Sequence, residues 1–425
     1  MEKKKPCIAP REASVPRTQT IPGVPPIETP KEEFREASRK FHSSLPKEER
    51  QNQGIFFTPK KVRDVLFAKL SELGVTPKKI LEPSFGSGEF ILDVKHLYPE
   101  SQIFGVEKNQ ALFQSLQCEH TTLTCCDFLD WKGTADLILG NPPYFVIKTD
   151  TLSPTEKKTF LAKNAEAMTG RPNIYILFLY KCLSEHLETD GFLAFIIPTS
   201  LYNCSYYQPM RNYIQKHTSI LYVETLDKPG FYETGQDTML IVLQKKKTHD
   251  EYIFQSRNGN IYISPFSTQL REITRNTTTL TELGLGVKTG NIVWNNLQDN
   301  LSDEGTLLIY SSNIHNSELT LHNLCGKKRK QYLKNVTKPT LSGPVILVER
   351  GYGNSFRFHS VLVTLQNFYA ENHINVIYPK TPECIENLYR VAKSFQDERT
   401  HSFVKWFVGN GSMSATDLET ILPIF

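Results

Sequence analysis

The tetrapeptide Asn141-Pro142-Pro143-Tyr144 contains the residue types that could activate an amino group. Its prolines stiffen the backbone and lack N–H donors, which leaves carbonyl oxygens free to face a ligand. The side-chain oxygen of Asn141 and the carbonyl oxygen of Pro142 can both accept hydrogen bonds from one NH2 group. An aromatic amine is a poor nucleophile because its lone pair is delocalised, and two acceptors would draw its nitrogen toward tetrahedral geometry. Tyr144 adds a flat face for a base. The alternative without chemistry is a Pro-Pro turn that closes a strand.

A glycine-containing loop lies upstream, in the segment LEPSFGSGEF from residue 81 to residue 90. Gly86 and Gly88 permit a tight turn and let a ligand approach the main chain without a clash against a Cβ atom. Glu107 ends the next predicted strand, 19 residues after Gly88. A carboxylate at that spacing suits the two hydroxyls of a ribose. Together these residues predict a site for a nucleoside-bearing cofactor.

Two residues of this segment argue against a dinucleotide. Ile91 stands where the third glycine of the dinucleotide fingerprint would be, and Glu89 puts a negative charge at the helix start, where a pyrophosphate would rest. S-adenosylmethionine has no phosphate and carries a positive sulfonium, so the carboxylates of Glu82 and Glu89 are compatible with it. The loop therefore favours S-adenosylmethionine.

A further acidic residue follows the third predicted strand. Asp127, in the segment CCDF, can accept a hydrogen bond from an adenine amino group, and Phe128 would lie beside the ring. With Glu107 it gives carboxylates at successive strand ends, which supports the cofactor prediction better than the glycine loop alone. The alternative is that both are ordinary carboxylates that end a strand or cap a helix.

Seven short β-rich runs between residues 79 and 246 must position these side chains. Stretches with helical spacing separate most of them, for example the stretch that follows Asn173. Such alternation predicts an α/β, Rossmann-like sheet, mostly parallel, with helices on both faces and ligands beyond the carboxyl ends of its strands. The last two runs are separated only by residues 227–237, so we expect them to pair antiparallel at one edge. The runs are KILEP, QIFGVE, TLTCCDF, DLILGN, FLAFIIP, ILYVETL and TMLIVLQK.

Length and composition bound the domain organisation. The 425 residues suit two or three domains, and no apolar stretch is long enough to cross a bilayer. The net charge of +4 is too small to indicate a nucleic-acid binder by itself, and the eight cysteines include no CxxC pair, which argues against a zinc site. We expect a flexible, basic, proline-rich arm at residues 1–48, a catalytic domain at residues 49–248 and a second, α+β domain at residues 249–425. We also expect an intracellular, non-secreted monomer without a metal or a membrane partner.

Eight motifs follow one another between residues 50 and 246: GIFFTP (54–59), LEPSFGSGEF, GVE, CDF, NPPY, GRPNIY (170–175), FLAFIIPTS and PGFYETGQDTMLIVLQK. This ordered set resembles the gamma group of N6-adenine DNA methyltransferases, the TaqI-like enzymes. Later segments are more loosely similar to the target recognition domains of such enzymes, namely GVKTGN (286–291), ERGYGNSF, ENHINVIY and FVGNGSMSATDLETILPI.

The resemblance implies a role for each matching position. Thr58 would contact the methionine end of S-adenosylmethionine. Phe231 would pack against an extruded adenine opposite Tyr144, although Tyr232 next to it is a second candidate. The catalytic set would be Asn141, Pro142, Tyr144 and Phe231. The rest of the cofactor site would be lined by Glu82, Ser84, Gly86, Gly88, Glu107, Asp127, Phe128, Asn141 and Pro143.

The implied reaction is methyl transfer to N6 of an adenine that is turned out of duplex DNA, because a paired base cannot reach a pocket. The second domain would recognise the DNA. Its candidate phosphate-binding cluster is Lys327, Lys328, Arg329 and Lys330, with a solvated loop as the alternative.

Two other functions stay open. One is an NPPY methyltransferase that acts on an RNA base or a protein glutamine, both of which present a planar NH2 group, and the other is a catalytically silent DNA-binding module. The arm is too short to be a nuclease domain, so a restriction endonuclease partner would be a separate protein.

Overall fold

The computed structural model describes residues 34–44, 54, 56–148, 152–170, 173–226, 237–315, 317–321, 330–350, 358–408 and 413–425. These residues form a seven-stranded sheet between residues 79 and 244, and four smaller sheets between residues 253 and 379. None of the helices among them is long and apolar enough to cross a membrane.

The central sheet confirms all seven predicted strands. They are β1 (Lys79–Glu82), β2 (Gln102–Glu107), β3 (Thr121–Cys125), β4 (Ala135–Gly140), β5 (Leu187–Pro198), β6 (Ser219–Leu226) and β7 (Thr238–Gln244). Their order is β3-β2-β1-β4-β5-β7-β6. The first five strands are parallel to one another, whereas β7 lies between β5 and β6 and is antiparallel to both. The sheet is therefore mostly parallel with an antiparallel edge hairpin, as predicted.

Helices cover both faces of the central sheet. In β4, Ile138 packs into one buried cluster, whereas Leu137 and Leu139 pack into a second cluster on the opposite face. Asn109 and Asn173 each cap a helix, because their side-chain oxygens accept backbone N–H groups of the first turn. The helices of this part are α1 (Glu36–Ser44), α2 (Lys60–Glu72), α3 (Glu89–Leu97), α4 (Gln110–Ser115), α5 (Pro154–Lys163), α6 (Ile174–Lys181) and α7 (Gln208–His217).

Helix α1 lies within the segment that the sequence predicted to be a flexible arm. Its residue Ser38 is fully buried, and Phe34, just before the helix, is only 9% exposed. Both side chains pack against the part of the chain that contains the central sheet, so residues 34–44 differ from the expected arm because they bury apolar and hydroxyl groups there. The other residues of the segment 1–48 lie outside the described residues.

The second part of the chain combines helices with short strands, as an α+β domain does. Its helices are α8 (Ser267–Ile273), α9 (Ile385–Ser394), α10 (Glu398–Val408) and α11 (Ala415–Thr420). Its strands are β8 (Ile253–Gln255), β9 (Ile261–Ile263), β10 (Leu285–Thr289), β11 (Leu301–Ser302), β12 (Thr306–Ile309), β13 (Ile314–His315), β14 (Glu318–Leu319), β15 (Tyr332–Leu333), β16 (Val345–Glu349), β17 (Ser360–Val363), β18 (Phe368–Ala370) and β19 (Ile374–Pro379). Two four-stranded sheets have the orders β10-β19-β16-β17 and β11-β15-β12-β18, and two hairpins complete this part.

The hairpin β8–β9 joins the two parts. Ile253, Ile261 and Ile263 pack into the core of the central-sheet part, whereas Phe254 and Tyr262 pack into the core of the second part. This division follows from the alternation of side chains along a strand, which sends successive residues to opposite faces. The hairpin therefore belongs to both cores.

Arg211 on α7 fixes this junction. Its guanidinium is 1% exposed and donates hydrogen bonds to the carbonyl oxygens of Ile261, Leu201 and Cys204. Burial lowers the pKa of Arg211 to about 10. These carbonyl groups come from the segment that follows β5, with Leu201 and Cys204, and from β9, with Ile261.

We expect Arg211→Ala to lower the free energy of unfolding by about 3 kcal/mol, because it leaves buried carbonyl groups without donors. The urea midpoint of the full chain measures this effect. Lys216→Ala is the matched control, since Lys216 is exposed on the same helix. Equal midpoints for the two variants would show that Arg211 does not stabilise the junction.

Candidate active site

Three of the predicted site residues meet at one edge of the central sheet. Glu82 ends β1, Glu107 ends β2 and Asn141 directly follows β4, and because these strands are parallel their carboxyl ends meet. A cavity of about 460 Å³ lies at this edge. Of the predicted residues, those on its wall are Ser84, Gly86, Glu107, Asp127, Phe128, Asn141 and Pro143.

The glycine loop depends on left-handed backbone at Gly86 (φ 55°) and Gly88 (φ 85°). Gly88 is also the N-cap of α3, and a Cβ atom there would lie 2.4 Å from Leu116 Cδ2. The main-chain N–H of Gly86 donates to Glu107 Oε2 at 2.8 Å, and the N–H of Asn109 donates to Glu107 Oε1 at 2.7 Å. Each carboxylate oxygen keeps acceptor capacity for a ligand hydroxyl. The loop and Glu107 therefore form one preorganised unit.

The contacts of Asp127 are compatible with both roles suggested by its position, a helix cap and an acceptor at the cofactor site. Its Oδ1 accepts the N–H of Leu129 at 3.0 Å, which caps the short 3-10 helix that follows. Its Oδ2 accepts a hydrogen bond from Lys108 Nζ at 2.7 Å, and both residues line the cavity. Burial acts to raise the pKa of Asp127, but these two hydrogen bonds outweigh it and lower the pKa. Asp127 is thus ionised and able to accept at the cavity wall.

Glu82 is a buried carboxyl group with an unfilled acceptor. It is 2% exposed, and its Oε2 has no hydrogen-bond partner among the described residues. Burial, with the nearby carboxylates of Glu89 and Glu107, raises the pKa of Glu82 well above its usual range. A cationic group beside Glu82 would stabilise the ionised form of this carboxyl group and offset the repulsion from its two acidic neighbours. S-adenosylmethionine carries a sulfonium and an ammonium group, so the residues present fit that cofactor.

We expect S-adenosylmethionine to release a proton from the protein when it binds. The free protein holds Glu82 protonated below its raised pKa, and a nearby cation lowers that pKa, so affinity rises with pH until the pKa of the free protein is passed. Titration calorimetry in buffers of different ionisation enthalpy measures the number of protons released. A pH of 6 to 7 is suitable because the ammonium group of the ligand, with a pKa of about 8, stays mostly protonated there.

Glu82→Gln is the control for this prediction, because it keeps the shape of the side chain and removes its titration. We expect this variant to release fewer protons than the wild type. Equal release by both proteins would assign the effect to another group.

Hydrogen bonds fix the orientation of the Asn141 amide. Its Nδ2 donates to the carbonyl oxygen of Phe56 and to Thr58 Oγ1, each at 3.0 Å. Both donors of the NH2 group are thereby used, so the oxygen Oδ1 is left to accept. Ser84 Oγ also donates to the Asn141 carbonyl oxygen at 3.4 Å. Thr58, which the resemblance placed at the methionine end of the cofactor, is here a partner of Asn141.

Tyr144 does not present the open stacking face that was predicted for it. It is 6% exposed, and its ring lies near the rings of Phe56 and Tyr175. Its hydroxyl proton lies between two acceptors, Asn141 Oδ1 and the carbonyl oxygen of Ile196. Burial raises the pKa of Tyr144 well above its usual range, so the hydroxyl stays protonated. The structure thus turns this side chain toward the core and toward Asn141.

Several cavity residues were not among the predicted ones. Phe56 and Phe145 place aromatic rings on the wall, and Ile174 and Phe178 add apolar surface from α6. Phe56 and Ile174 stand in the motifs GIFFTP and GRPNIY. Phe178 lies four residues after Ile174 and therefore on the same helix face, a spacing that could have indicated it. Phe145 follows the NPPY tetrapeptide directly.

The remaining predicted residues fall into three groups. Gly88 and Pro142 are buried beside the cavity wall. Phe231, Tyr232, Lys327, Lys328 and Arg329 lie outside the described residues. Lys330, the described member of the basic cluster, forms an exposed ion pair of 2.9 Å with Asp303. Among the described residues, no group of three or more His, Cys, Asp and Glu side chains could hold a metal ion.

Known proteins resemble this chain along most of its length. The family model described as Eco57I restriction-modification methylase matches residues 84–231. Modification methylase CviBIII of Paramecium bursaria Chlorella virus NC1A is 33% identical over 415 residues, which cover 93% of this chain and 99% of the relative. Type II methyltransferase M.CvrRI of Paramecium bursaria Chlorella virus XZ-6E is 29% identical over 400 residues, which cover 92% and 99%.

One solved structure is similar in part. A protein of Listeria monocytogenes described as a class I S-adenosylmethionine-dependent methyltransferase is 18% identical, with a TM-score of 0.40, and the match covers 50% of this chain and 67% of that chain. The two viral relatives, by contrast, match both parts of the present chain.

Proposed function

Because this chain belongs to the restriction-modification methylase family, and is therefore a DNA methyltransferase with S-adenosylmethionine as its cofactor, we propose that it methylates N6 of an adenine in duplex DNA. The observation that carries the proposal is the Asn141 amide of the cavity wall, whose NH2 group donates to Phe56 and Thr58. Its oxygen accepts from the Tyr144 hydroxyl and keeps a second lone pair for an amino group. An exocyclic NH2 group is the acceptor chemistry that fits such an oxygen.

The acceptor residues act by geometry. Asn141 Oδ1 and the Pro142 carbonyl oxygen would each accept one N–H of the adenine amino group and turn its lone pair away from the ring. Bound S-adenosylmethionine supplies the methyl group, which leaves its sulfonium sulfur as the amino nitrogen attacks. The nitrogen then loses a proton to solvent. This proposed mechanism asks no side chain to act as a strong base.

The cofactor would be held by the unit formed by the glycine loop and Glu107. Glu107 would accept from the ribose hydroxyls, Asp127 from the adenine amino group of the cofactor, and Glu82 would face a cationic group. Each of these carboxylates has acceptor capacity beyond its hydrogen bonds within the protein. We assign these roles by the fit of charge and hydrogen bonding.

The target base would have to leave the helix to reach this cavity. Phe56 and Phe145 on the cavity wall offer aromatic surface for an extruded adenine, and stacking of a base on an aromatic ring is worth about 1 to 3 kcal/mol. Phe231 is proposed as a further aromatic contact from outside the described residues. The second part of the chain would supply the sequence-reading contacts, and a separate endonuclease would cleave the same site.

The experiment that tests this function offers labelled S-adenosylmethionine with duplex DNA, RNA and protein acceptors. We expect label only in DNA, and N6-methyladenine after digestion to nucleosides. Label in RNA or protein alone would contradict the proposal, and so would a methylated cytosine as the only product. A complete lack of transfer to duplex DNA of all sequences would support the catalytically silent alternative.

A further inference from the structure

Helix α1 meets the glycine loop through a pair of buried hydroxyls. Ser38 on α1 and Ser87 in the loop are both fully buried, and their Oγ atoms are 2.7 Å apart. Each hydroxyl also contacts one oxygen of Glu89, Ser38 at Oε1 and Ser87 at Oε2. Since each hydroxyl has one proton, both protons go to this carboxylate. The buried carboxylate of Glu89 therefore takes one of these two donors from its own glycine loop and the other from α1.

A second contact fixes the main chain of the loop. Arg35 Nη1, on the residue before α1, donates to the carbonyl oxygen of Ser87. Ser87 lies between Gly86 and Gly88, the two left-handed positions of the loop. The segment therefore holds both the side chain and the carbonyl group of the central loop residue. Because Gly86 also donates to Glu107, this hold extends to the carboxylate proposed for the ribose.

A third contact is apolar and reaches the cavity wall itself. Phe34, Phe57 and Leu112 form one buried cluster, with Phe41 of α1 packed against it. The rings of Phe41 and Phe57 meet edge to face, with centroids 6.2 Å apart. Phe57 and Leu112 both line the 460 Å³ cavity. The residues in and just before α1 therefore support two side chains of the cavity wall as well as the loop.

We propose that Arg35 and Ser38, in the α1 segment formed by residues 34–44, are positioning residues for S-adenosylmethionine. They act through Ser87, Glu89 and Gly86, and neither lines the described cavity. This inference rests on the proposed placement of S-adenosylmethionine beside the glycine loop, but not on the identity of the methylated base. Without the segment, the cofactor must itself order the loop, which reduces its affinity.

The test compares Ser38→Ala with Ser43→Ala in the full chain. Ser43 is exposed on the same helix, and its hydroxyl bonds only to the Arg39 carbonyl oxygen among the described contacts, so it is a matched control. We expect Ser38→Ala to raise the Kd for S-adenosylmethionine about tenfold by titration calorimetry, because it removes a donor from a buried carboxylate. We expect Kd for duplex DNA to change less than twofold, and Ser43→Ala to leave both constants unchanged.

A second variant keeps the test decisive if Ser38→Ala disturbs folding. Arg35→Gln removes the donor to the Ser87 carbonyl oxygen, and we expect it to raise the Kd for S-adenosylmethionine several-fold and to reduce the thermal stabilisation that this ligand gives. Unchanged cofactor affinity in both variants would overturn the inference. Equal losses of cofactor and DNA affinity would also overturn it, since they would indicate a general structural role.

The variant Glu107→Ala separates this inference from the placement of the cofactor. If Glu107→Ala weakens the binding of S-adenosylmethionine but Ser38→Ala does not, the role of α1 fails and the placement stands. If Glu107→Ala has no effect, the placement itself fails.

Discussion

Asn141→Ala is expected to lower kcat about a hundred- to a thousandfold, while Kd for S-adenosylmethionine and for duplex DNA stays within a few-fold of the wild type. The substitution removes the oxygen proposed to accept from the adenine amino group, and deleting one such preorganised group costs a rate factor of about this size. Single-turnover methyl transfer with saturating cofactor and DNA measures the chemical step without binding.

The control for Asn141→Ala is Asn212→Ala, because Asn212 is an exposed asparagine on α7. We expect this control to transfer methyl groups at the wild-type rate. A kcat for Asn141→Ala within about threefold of the control would exclude the proposed activation by Asn141.

Glu107→Ala is expected to raise Kd for S-adenosylmethionine about a hundredfold. Two hydrogen bonds from ribose hydroxyls to a carboxylate would be lost, at about 1.5 kcal/mol each, and the Gly86 amide would lose its acceptor. Equilibrium titration with S-adenosylmethionine measures the effect directly. Since the variant also loosens the glycine loop, its thermal unfolding in the absence of ligand must be recorded beside the wild type.

Glu119→Ala is the control for the loss of a negative charge. Glu119 is exposed and lies in the connection between α4 and β3. We expect it to bind S-adenosylmethionine as the wild type does. If both variants bind equally well, the ribose is held elsewhere.

The central sheet could be predicted from the sequence because its signals are local. Each strand is a short β-rich run, and consecutive residues such as Leu137 and Ile138 are apolar because helices cover both faces of the sheet. The ends of these runs then place Glu82, Glu107 and Asn141 at one edge without any knowledge of packing. The antiparallel edge hairpin also followed, from the short connection between its strands.

Features that depend on distant segments could not be predicted in this way. The direction of the Tyr144 ring is set by Phe56, Tyr175 and the Ile196 carbonyl group, which come from three other parts of the chain. Helix α1, where the sequence predicted a flexible arm, is held in place by contacts with Ser87 and Glu89, about 50 residues further along the chain. Nothing in the local pattern of either segment contains this information.

The structure of the second part of the chain was even harder to predict from its sequence. Several of its strands have only two residues, and two of these, β11 (Leu301–Ser302) and β15 (Tyr332–Leu333), pair with each other although they are far apart in the sequence. A pattern of two residues does not distinguish a strand from a turn. Its mixture of helix and strand was predictable, but its two four-stranded sheets were not.

The most direct test of the central claim is long-read sequencing of host DNA after expression of this chain in a strain without methyltransferases of its own. We predict N6-methyladenine at one short recurring sequence, and unmodified DNA when Asn141→Ala is expressed instead. Modified cytosine in place of N6-methyladenine, or the same adenine modification with Asn141→Ala, would contradict the claim that Asn141 activates an adenine amino group.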